Sequence, residues 1–227
     1  MTEIVFILDR SGSMAGLESD TIGGFNSMLK KQQEEVEGDA LVSTILFDHE
    51  SIVLHDRVPI ADVKPLTTAD YEVRGMTALL DAVGDAVKHI KNIHKYAREE
   101  DRPQKTLVVI TTDGYENASH KFSYDDIKKL IEQQKELGWE FIFLGANIDA
   151  AQVAGSIGID ARRAVNYHAD SEGTSHVFSA VSHFAQKLRA SKRASRRANS
   201  VAMSAPPDET VDDSWRESID EDFKSRK

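Results

Sequence analysis

The stretch Ile4-Val5-Phe6-Ile7-Leu8-Asp9-Arg10-Ser11-Gly12-Ser13 decides the fold. Its first five residues are all apolar rather than alternately apolar and polar, which predicts a strand buried on both faces, as strands of parallel sheets are. The Ser- and Gly-containing loop that follows ends this strand. Two more apolar runs of this kind occur at 107–110, shortly before Asp113-Gly114, and at 141–144. Three such runs indicate the centre of a parallel sheet.

Helical and strand-like segments alternate along the rest of the chain. The predicted helices cover about 22–36, 78–93, 124–137, 149–155 and 177–188, and a short final strand covers 164–167. Only three residues join the runs 40–47 and 51–58, so these runs form an antiparallel hairpin, and Pro59 places the second strand at the sheet edge. Right-handed crossovers then give the strand order 3-2-1-4-5-6. We therefore expect an α/β fold with an open, doubly wound, mostly parallel six-stranded sheet, one antiparallel edge strand, and helices on both faces.

Composition limits the classes of function. With 227 residues, the chain has room for one large domain, which we assign to 1–200, and a tail at 201–227. The net charge of −10 argues against nucleic acid or an anionic membrane as partner. The chain has no Cys, which excludes disulfides and thiolate metal sites and fits a reducing compartment. Since no signal peptide or membrane-spanning run is recognised, we expect a cytoplasmic protein.

The tail differs in composition from the rest of the chain. It combines two prolines with eight Asp or Glu and four Lys or Arg, which predicts an acidic, disordered segment. Its apolar residues Val211, Trp215, Ile219 and Phe223 recur every four positions, however. A helix that docks on a partner therefore stays open as an alternative.

Carboxylates and hydroxyls follow the ends of two neighbouring strands of the predicted sheet. Ligands of open α/β sheets bind in a crevice beyond the carboxyl ends of the strands, at the point where the strand order reverses. In the predicted sheet, Asp9 and Asp113 face each other across this crevice. Two carboxylates this close repel each other unless they share a cation. Ser11 and Ser13 stand at alternate positions after Asp9, so both hydroxyls can point the same way in an extended turn. An all-oxygen ligand set favours a hard ion such as Mg²⁺.

The order of these motifs resembles that of a known family. Asp9-x-Ser11-x-Ser13, followed by Gly75-Met76-Thr77 and Thr112-Asp113-Gly114, is similar to the metal-ion-dependent adhesion site of von Willebrand factor A domains, and the resemblance covers roughly residues 1–190. It implies that Ser11, Ser13 and Thr77 hold Mg²⁺ (or Mn²⁺) through hydroxyls. It also implies that Asp9 and Asp113 supply carboxylates, mostly through water. An Asp or Glu side chain of a partner protein would then be the last ligand, and the protein would be a binding module rather than an enzyme.

Two details refine the resemblance. Met76 stands where a second Gly is frequent in the family, which would alter access to the ion. The stretches 21–26 and 143–147 look more like bacterial or phage members of the family than like extracellular adhesion proteins.

Other interpretations remain. Taken singly, Asp9 and Asp113 are explained as helix caps, and the serines as turn formers. A phosphoryl-transfer enzyme of the haloacid dehalogenase type also ends its first strand with an Asp, but it carries a second Asp where this chain has Ser11. A metal-dependent phosphoester hydrolase would use the same crevice, and an interaction protein would bind through its tail. The sequence leaves the partner and the oligomeric state open.

Overall fold

A computed structural model describes residues 1–34, 38–190 and 212–226. The described chain alternates strands and helices as the sequence predicts. The strands are β1 (Thr2–Asp9), β2 (Ala40–Phe47), β3 (Ser51–Pro59), β4 (Lys105–Thr112), β5 (Trp139–Ala146) and β6 (Ala164–Tyr167). The helices are α1 (Glu18–Glu34), α2 (Leu79–Tyr96), α3 (Tyr124–Glu136), α4 (Ala150–Ser156), α5 (Ser171–Ala190) and α6 (Glu217–Ser225). The predicted extension of α1 to Val36 lies outside the described residues.

The six strands form one sheet in the order β3-β2-β1-β4-β5-β6, which confirms the predicted topology. All pairs are parallel except β2 with β3, which form the antiparallel hairpin at the edge. Helices α1, α5 and α6 pack on one face and α2, α3 and α4 on the other, each over its own buried apolar layer. Because β1 is central and pairs with both β2 and β4, its whole length is buried, as its unbroken apolar run predicts.

The start of α3 illustrates how local sequence sets an element. The Ser123 hydroxyl accepts a hydrogen bond from the backbone N–H of Asp126, and the Asp126 carboxylate accepts one from the backbone N–H of Ser123. This reciprocal pair is the predicted helix cap, with Asp in place of the usual Glu. It begins α3 directly after the loop that follows β4.

The segment 212–226 differs from the disordered tail that the sequence predicts. Residues 213–216 form one turn of 3-10 helix, and α6 follows directly. Trp215 and Ile219 are buried against α5 and β6, with the Trp215 ring edge-on to Phe184 at 5.7 Å between centroids. The four-residue apolar spacing gives this segment one apolar stripe, and the domain itself supplies the complementary surface. Residues 201–211 and 227 lie outside the described residues, so the domain boundary at 200 stays a prediction.

No helix in the described part of the chain is both long and apolar enough to cross a membrane.

Candidate metal centre

Asp9 ends β1 at the point where the strand order reverses. Its side chain is fully buried, and both carboxylate oxygens accept hydrogen bonds: Oδ1 from the Ser11 backbone N–H at 2.7 Å, and Oδ2 from the Thr112 hydroxyl at 2.6 Å. The Tyr71 hydroxyl donates to the backbone carbonyl of Asp9. Burial raises the pKa of Asp9 to about 6, although the bonds from Thr112 and Ser11 act in the opposite direction.

Three hydroxyls form a chain beside Asp9. The Thr77 hydroxyl donates to Ser11 Oγ at 3.0 Å, and Ser11 Oγ lies 3.1 Å from Ser13 Oγ. Ser11 and Thr77 are buried whereas Ser13 is exposed, so the chain of hydroxyls runs from the interior to the surface. These oxygens come from two loops that are far apart in sequence, and they form one oxygen-rich cluster.

Asp113 follows the end of β4, next to β1 in the sheet. Both of its carboxylate oxygens are buried, and among the described residues neither has a hydrogen-bond partner of good geometry, although the Ser13 hydroxyl lies close enough to act on the carboxylate. Burial raises the pKa of Asp113, and the nearby Ser13 hydroxyl offsets part of this effect. Such an orphaned carboxylate is unusual, because an unpaired buried charge is costly.

Two tyrosines lie near this pair of acids. Burial raises the pKa of both Tyr71 and Tyr167, and the charges of Asp9 and Asp113 raise these pKa values further. These phenols are neutral groups, and they do not compensate the charge of Asp113. The donor set present at the crevice, carboxylates plus hydroxyls around an uncompensated charge, therefore fits a hard divalent cation.

Gly114 leaves room at the centre of this cluster. A Cβ at this position would lie 3.0 Å from Ser13 Oγ and 3.3 Å from Thr77 Oγ1. Any larger residue would therefore crowd two of the predicted ligand oxygens.

The loop that carries Thr77 is fixed by backbone hydrogen bonds to its neighbours. The Thr77 N–H donates to Asn117 Oδ1 at 2.9 Å, and the Asn117 N–H donates to the Thr77 carbonyl at 3.0 Å. On the other side, Gly12 N–H donates to the Gly75 carbonyl, and Ala78 N–H donates to the Asp48 carbonyl. Asn117 therefore positions the loop that carries Thr77.

An ionic network beside the site was missed by sequence reasoning. Asp48 is fully buried and lies 3.1 Å from the Arg10 guanidinium and 3.0 Å from that of Arg74. It also accepts a hydrogen bond from the Glu50 backbone N–H. Asp48 follows the end of β2 just as Asp9 ends β1, so its position at the same sheet edge was a usable signal.

The structure therefore brings all five predicted side chains to one edge of the sheet: Asp9, Ser11, Ser13, Thr77 and Asp113. Their role as metal ligands stays a prediction. A second group of potential ligands, Glu172, His176 and Asp222, lies on α5 and α6, but the Arg226 guanidinium already pairs with both acids there.

A family model described as von Willebrand factor type A domain matches residues 3–171. The match spans well over half of the chain, and the protein therefore belongs to this family. Domains of the family are typically metal-dependent and bind proteins. No curated protein sequence matches the chain.

Solved structures share the fold at low sequence identity. The vWF domain of the type V pili tip protein Mfa5 from Porphyromonas gingivalis is 12% identical, with a TM-score of 0.58 over 85% of this chain and 97% of that one. Pilus adhesin SpaC from Lactobacillus rhamnosus GG is 12% identical, with a TM-score of 0.59 over 83% and 30%. Proximal thread matrix protein 1 from the mussel byssus, with a zinc-occupied MIDAS motif, is 16% identical, with a TM-score of 0.54 over 82% and 46%. The chain thus spans less than half the length of the thread protein.

Proposed function

We propose that the protein is a metal-dependent protein-binding module. Ser11, Ser13 and Thr77 would hold Mg²⁺ (or Mn²⁺) through their hydroxyls, and Asp9 and Asp113 would supply negative charge, mostly through water. An Asp or Glu side chain of a partner protein would complete the coordination. Membership of the family supports the class of function. The ion, its ligands and the partner's carboxylate are our proposal.

The unpaired carboxylate of Asp113 is the observation that carries this proposal. Both of its oxygens are buried without a hydrogen-bond partner in the described chain, next to a row of hydroxyls. A cation that binds directly or through water would remove the energetic cost of that buried charge. Apolar neighbours would not remove it.

The chemistry of the ligand set favours Mg²⁺ or Mn²⁺. The thread matrix protein holds zinc at its own motif, but the cluster here offers only oxygens and no imidazole or thiolate. With neutral hydroxyls as direct ligands, the ion would keep much of its positive charge. It would then attract an anionic oxygen from outside the chain.

Isothermal titration with Mg²⁺ tests the site. We expect one binding site in the wild-type protein, and a loss of affinity of about tenfold or more in Asp9→Ala and Thr77→Val. Thr106→Val is the matched control, because Thr106 is a buried threonine at the opposite end of β4. Absence of binding, or binding that Asp9→Ala leaves unchanged, would contradict the proposal. Capture of a partner with and without EDTA then tests the metal dependence of binding.

A phosphoryl-transfer enzyme with Asp9 as its nucleophile is less consistent with the geometry, whereas a metal-dependent phosphoester hydrolase in the same crevice stays an alternative. Asp9 is fully buried and both of its oxygens accept hydrogen bonds, which does not suit a nucleophile. Turnover of a generic phosphomonoester that is lost in Asp9→Asn would establish that alternative. The cytoplasmic location and the bacterial or phage origin remain predictions from the sequence.

A further inference from the structure

Two exposed apolar side chains lie immediately beside the proposed ligands. Met76 precedes Thr77 and is 56% exposed, and Tyr115 follows Gly114 and is 55% exposed. Single exposed apolar residues are common on protein surfaces. The position of this pair, on both loops that frame the hydroxyl cluster, distinguishes it from scattered cases.

The two loops that carry these side chains are held together beside the hydroxyl cluster. The reciprocal hydrogen bonds between Thr77 and Asn117 pair the two loops, and a Cβ at Gly114 would lie 3.3 Å from the Thr77 hydroxyl. The Tyr115 hydroxyl accepts a hydrogen bond from the Asp149 backbone N–H at 3.3 Å, so its ring leans towards the loop after β5. The aromatic ring is thus held in place, whereas the flexible Met76 can adapt to a ligand.

The charged groups near the mouth restrict the partner further. Exposed Arg74 and buried Arg10 are cations near the mouth; Asp48 pairs with both, and Glu50 pairs with Arg74. Exposed Glu50 and the acidic chain as a whole repel additional negative charge. The ion alone would therefore attract one carboxylate, and a cluster of acids would be repelled.

We infer that Met76 and Tyr115 form an apolar rim that selects a single acidic side chain flanked by apolar residues. This inference rests on the proposed function, since the ion must first bind the carboxylate. Carboxylate binding at the ion supplies the common part of the affinity. Contact of the flanking residues with the rim supplies the selectivity, because it removes apolar surface from water.

Capped five-residue peptides with a central aspartate test the inference in saturating Mg²⁺. The probes carry Leu, Gly or Asp on both sides of that aspartate, and a fourth replaces it by Asn between leucines. We expect the Leu-flanked peptide to bind about tenfold more tightly than the Gly-flanked one. The Asp-flanked peptide should bind most weakly of the three aspartate peptides, and the Asn peptide should not bind.

In the double variant Met76→Ser, Tyr115→Ser, the ratio of the affinities for the Leu- and Gly-flanked peptides should fall to about one, and Mg²⁺ should still bind. Tyr96→Ser, Leu137→Ser is the matched control, since it removes two exposed apolar side chains at other places in the fold. Equal binding of the Leu- and Gly-flanked peptides, or a preference that survives in the rim variant, would overturn the inference alone. If no aspartate peptide binds in Mg²⁺, the proposed function fails and the inference with it.

Discussion

At the scale of single residues, the two carboxylates of the site are not equivalent. Asp9 is held by hydrogen bonds from Ser11 and Thr112, whereas Asp113 is buried without such partners in the described chain. Asp9 therefore acts as part of the scaffold of the loop as well as a source of charge. Asp113 stores an electrostatic cost that a bound cation would relieve.

Asp113→Asn should change stability and metal affinity in opposite directions. In EDTA, removal of the unpaired charge should raise the free energy of unfolding by on the order of 1–3 kcal/mol. Mg²⁺ affinity should fall by about tenfold or more, because the variant lacks the charge that attracts the ion. Urea denaturation in EDTA measures the first effect and isothermal titration the second.

Asp9→Asn provides the comparison for this prediction. Its oxygens already accept two hydrogen bonds, and a neutral amide would keep only one acceptor for the Ser11 N–H and would have to donate to the Thr112 hydroxyl instead of accepting from it. We expect a smaller gain in stability than in Asp113→Asn, or a loss. An Asp113→Asn protein that is less stable than wild type in EDTA would show that its carboxylate is not a strained group.

His55 on β3 gives a pH dependence that is independent of the metal site. It is buried, its Nδ1 lies 3.0 Å from the Thr44 hydroxyl, and burial lowers its pKa below the ordinary 6.5 while Asp70 acts weakly in the opposite direction. As the pH falls below 6.5, the unfolded chain binds a proton before the folded chain does. The contribution of neutral His55 to the free energy of unfolding is therefore complete above about pH 6.5 and is lost at lower pH.

Urea denaturation at pH 7.5 and pH 5.5 measures this effect. Asp9, with its pKa raised to about 6, titrates in the same window and favours the folded state as the pH falls, but it does so equally in wild type and variant. His55→Asn keeps an amide near the Thr44 hydroxyl but cannot titrate, so on going from pH 7.5 to pH 5.5 its free energy of unfolding should change in a more favourable direction than that of wild type. His183→Asn removes an exposed histidine and should keep the wild-type difference. The interpretation fails if the two variants respond alike.

At the scale of elements, a pair of loops rather than a single motif builds the site. Asn117 pairs with Thr77 through two hydrogen bonds, although forty residues separate them. Replacement of this side chain leaves the Thr77 N–H without its acceptor and frees the loop to move. The position of the Thr77 hydroxyl thus depends on a residue that does not touch the cluster of hydroxyls.

Asn117→Ala should weaken Mg²⁺ binding by about tenfold, in the range of losses seen for groups that orient ligands. The stability should fall by only about 1 kcal/mol, since one hydrogen bond at a partly exposed site is lost. Asn92→Ala, at an exposed position of α2, should leave Mg²⁺ affinity unchanged. Unchanged titration curves for Asn117→Ala would show that Thr77 is positioned without its help.

The sequence predicts the strands and helices well because each of them has a clear pattern of apolar residues. The continuous run at 4–8 and the short hairpin at 48–50 determine the centre and the antiparallel edge of the sheet. Contacts such as those of Asp48 or Asn117 are not predictable in this way, since they depend on how loops fold over one another. For that reason the sequence located the carboxylates, whereas only the structure shows that one is paired and the other is not.

At the scale of the whole molecule, the C-terminal segment is part of the fold. Its composition predicts disorder, because composition carries no information on the order of the residues. In the structure, Trp215 and Ile219 lie on one face of the segment and pack against α5 and β6. Ion pairs of Arg163 with Asp213 and of Arg226 with Asp170 lie at the two ends of the contact. A partner that binds through this apolar stripe would first have to displace α6 from its own domain.

This argument predicts that α6 can be released without loss of the metal site. Ile219→Asp buries a charge in the contact and should undock 213–225, because a nine-residue helix is not stable in isolation. In a Trp139→Phe background, which leaves Trp215 as the single tryptophan, emission should shift to the red. Lys224→Ala, at an exposed position of α6, should leave the emission unchanged.

The same variants separate the two modes of partner binding. If the metal site recognises the partner, Ile219→Asp should retain both Mg²⁺ affinity and EDTA-sensitive partner capture, since the five proposed ligands lie at the end of β1 and in the loops after β1, after β4 and before α2. If the tail recognises the partner, capture should disappear in this variant while Mg²⁺ binding persists. A loss of Mg²⁺ binding on release of α6 would instead mean that the folded domain needs α6 to hold its metal centre, and it would contradict the independence of the two surfaces.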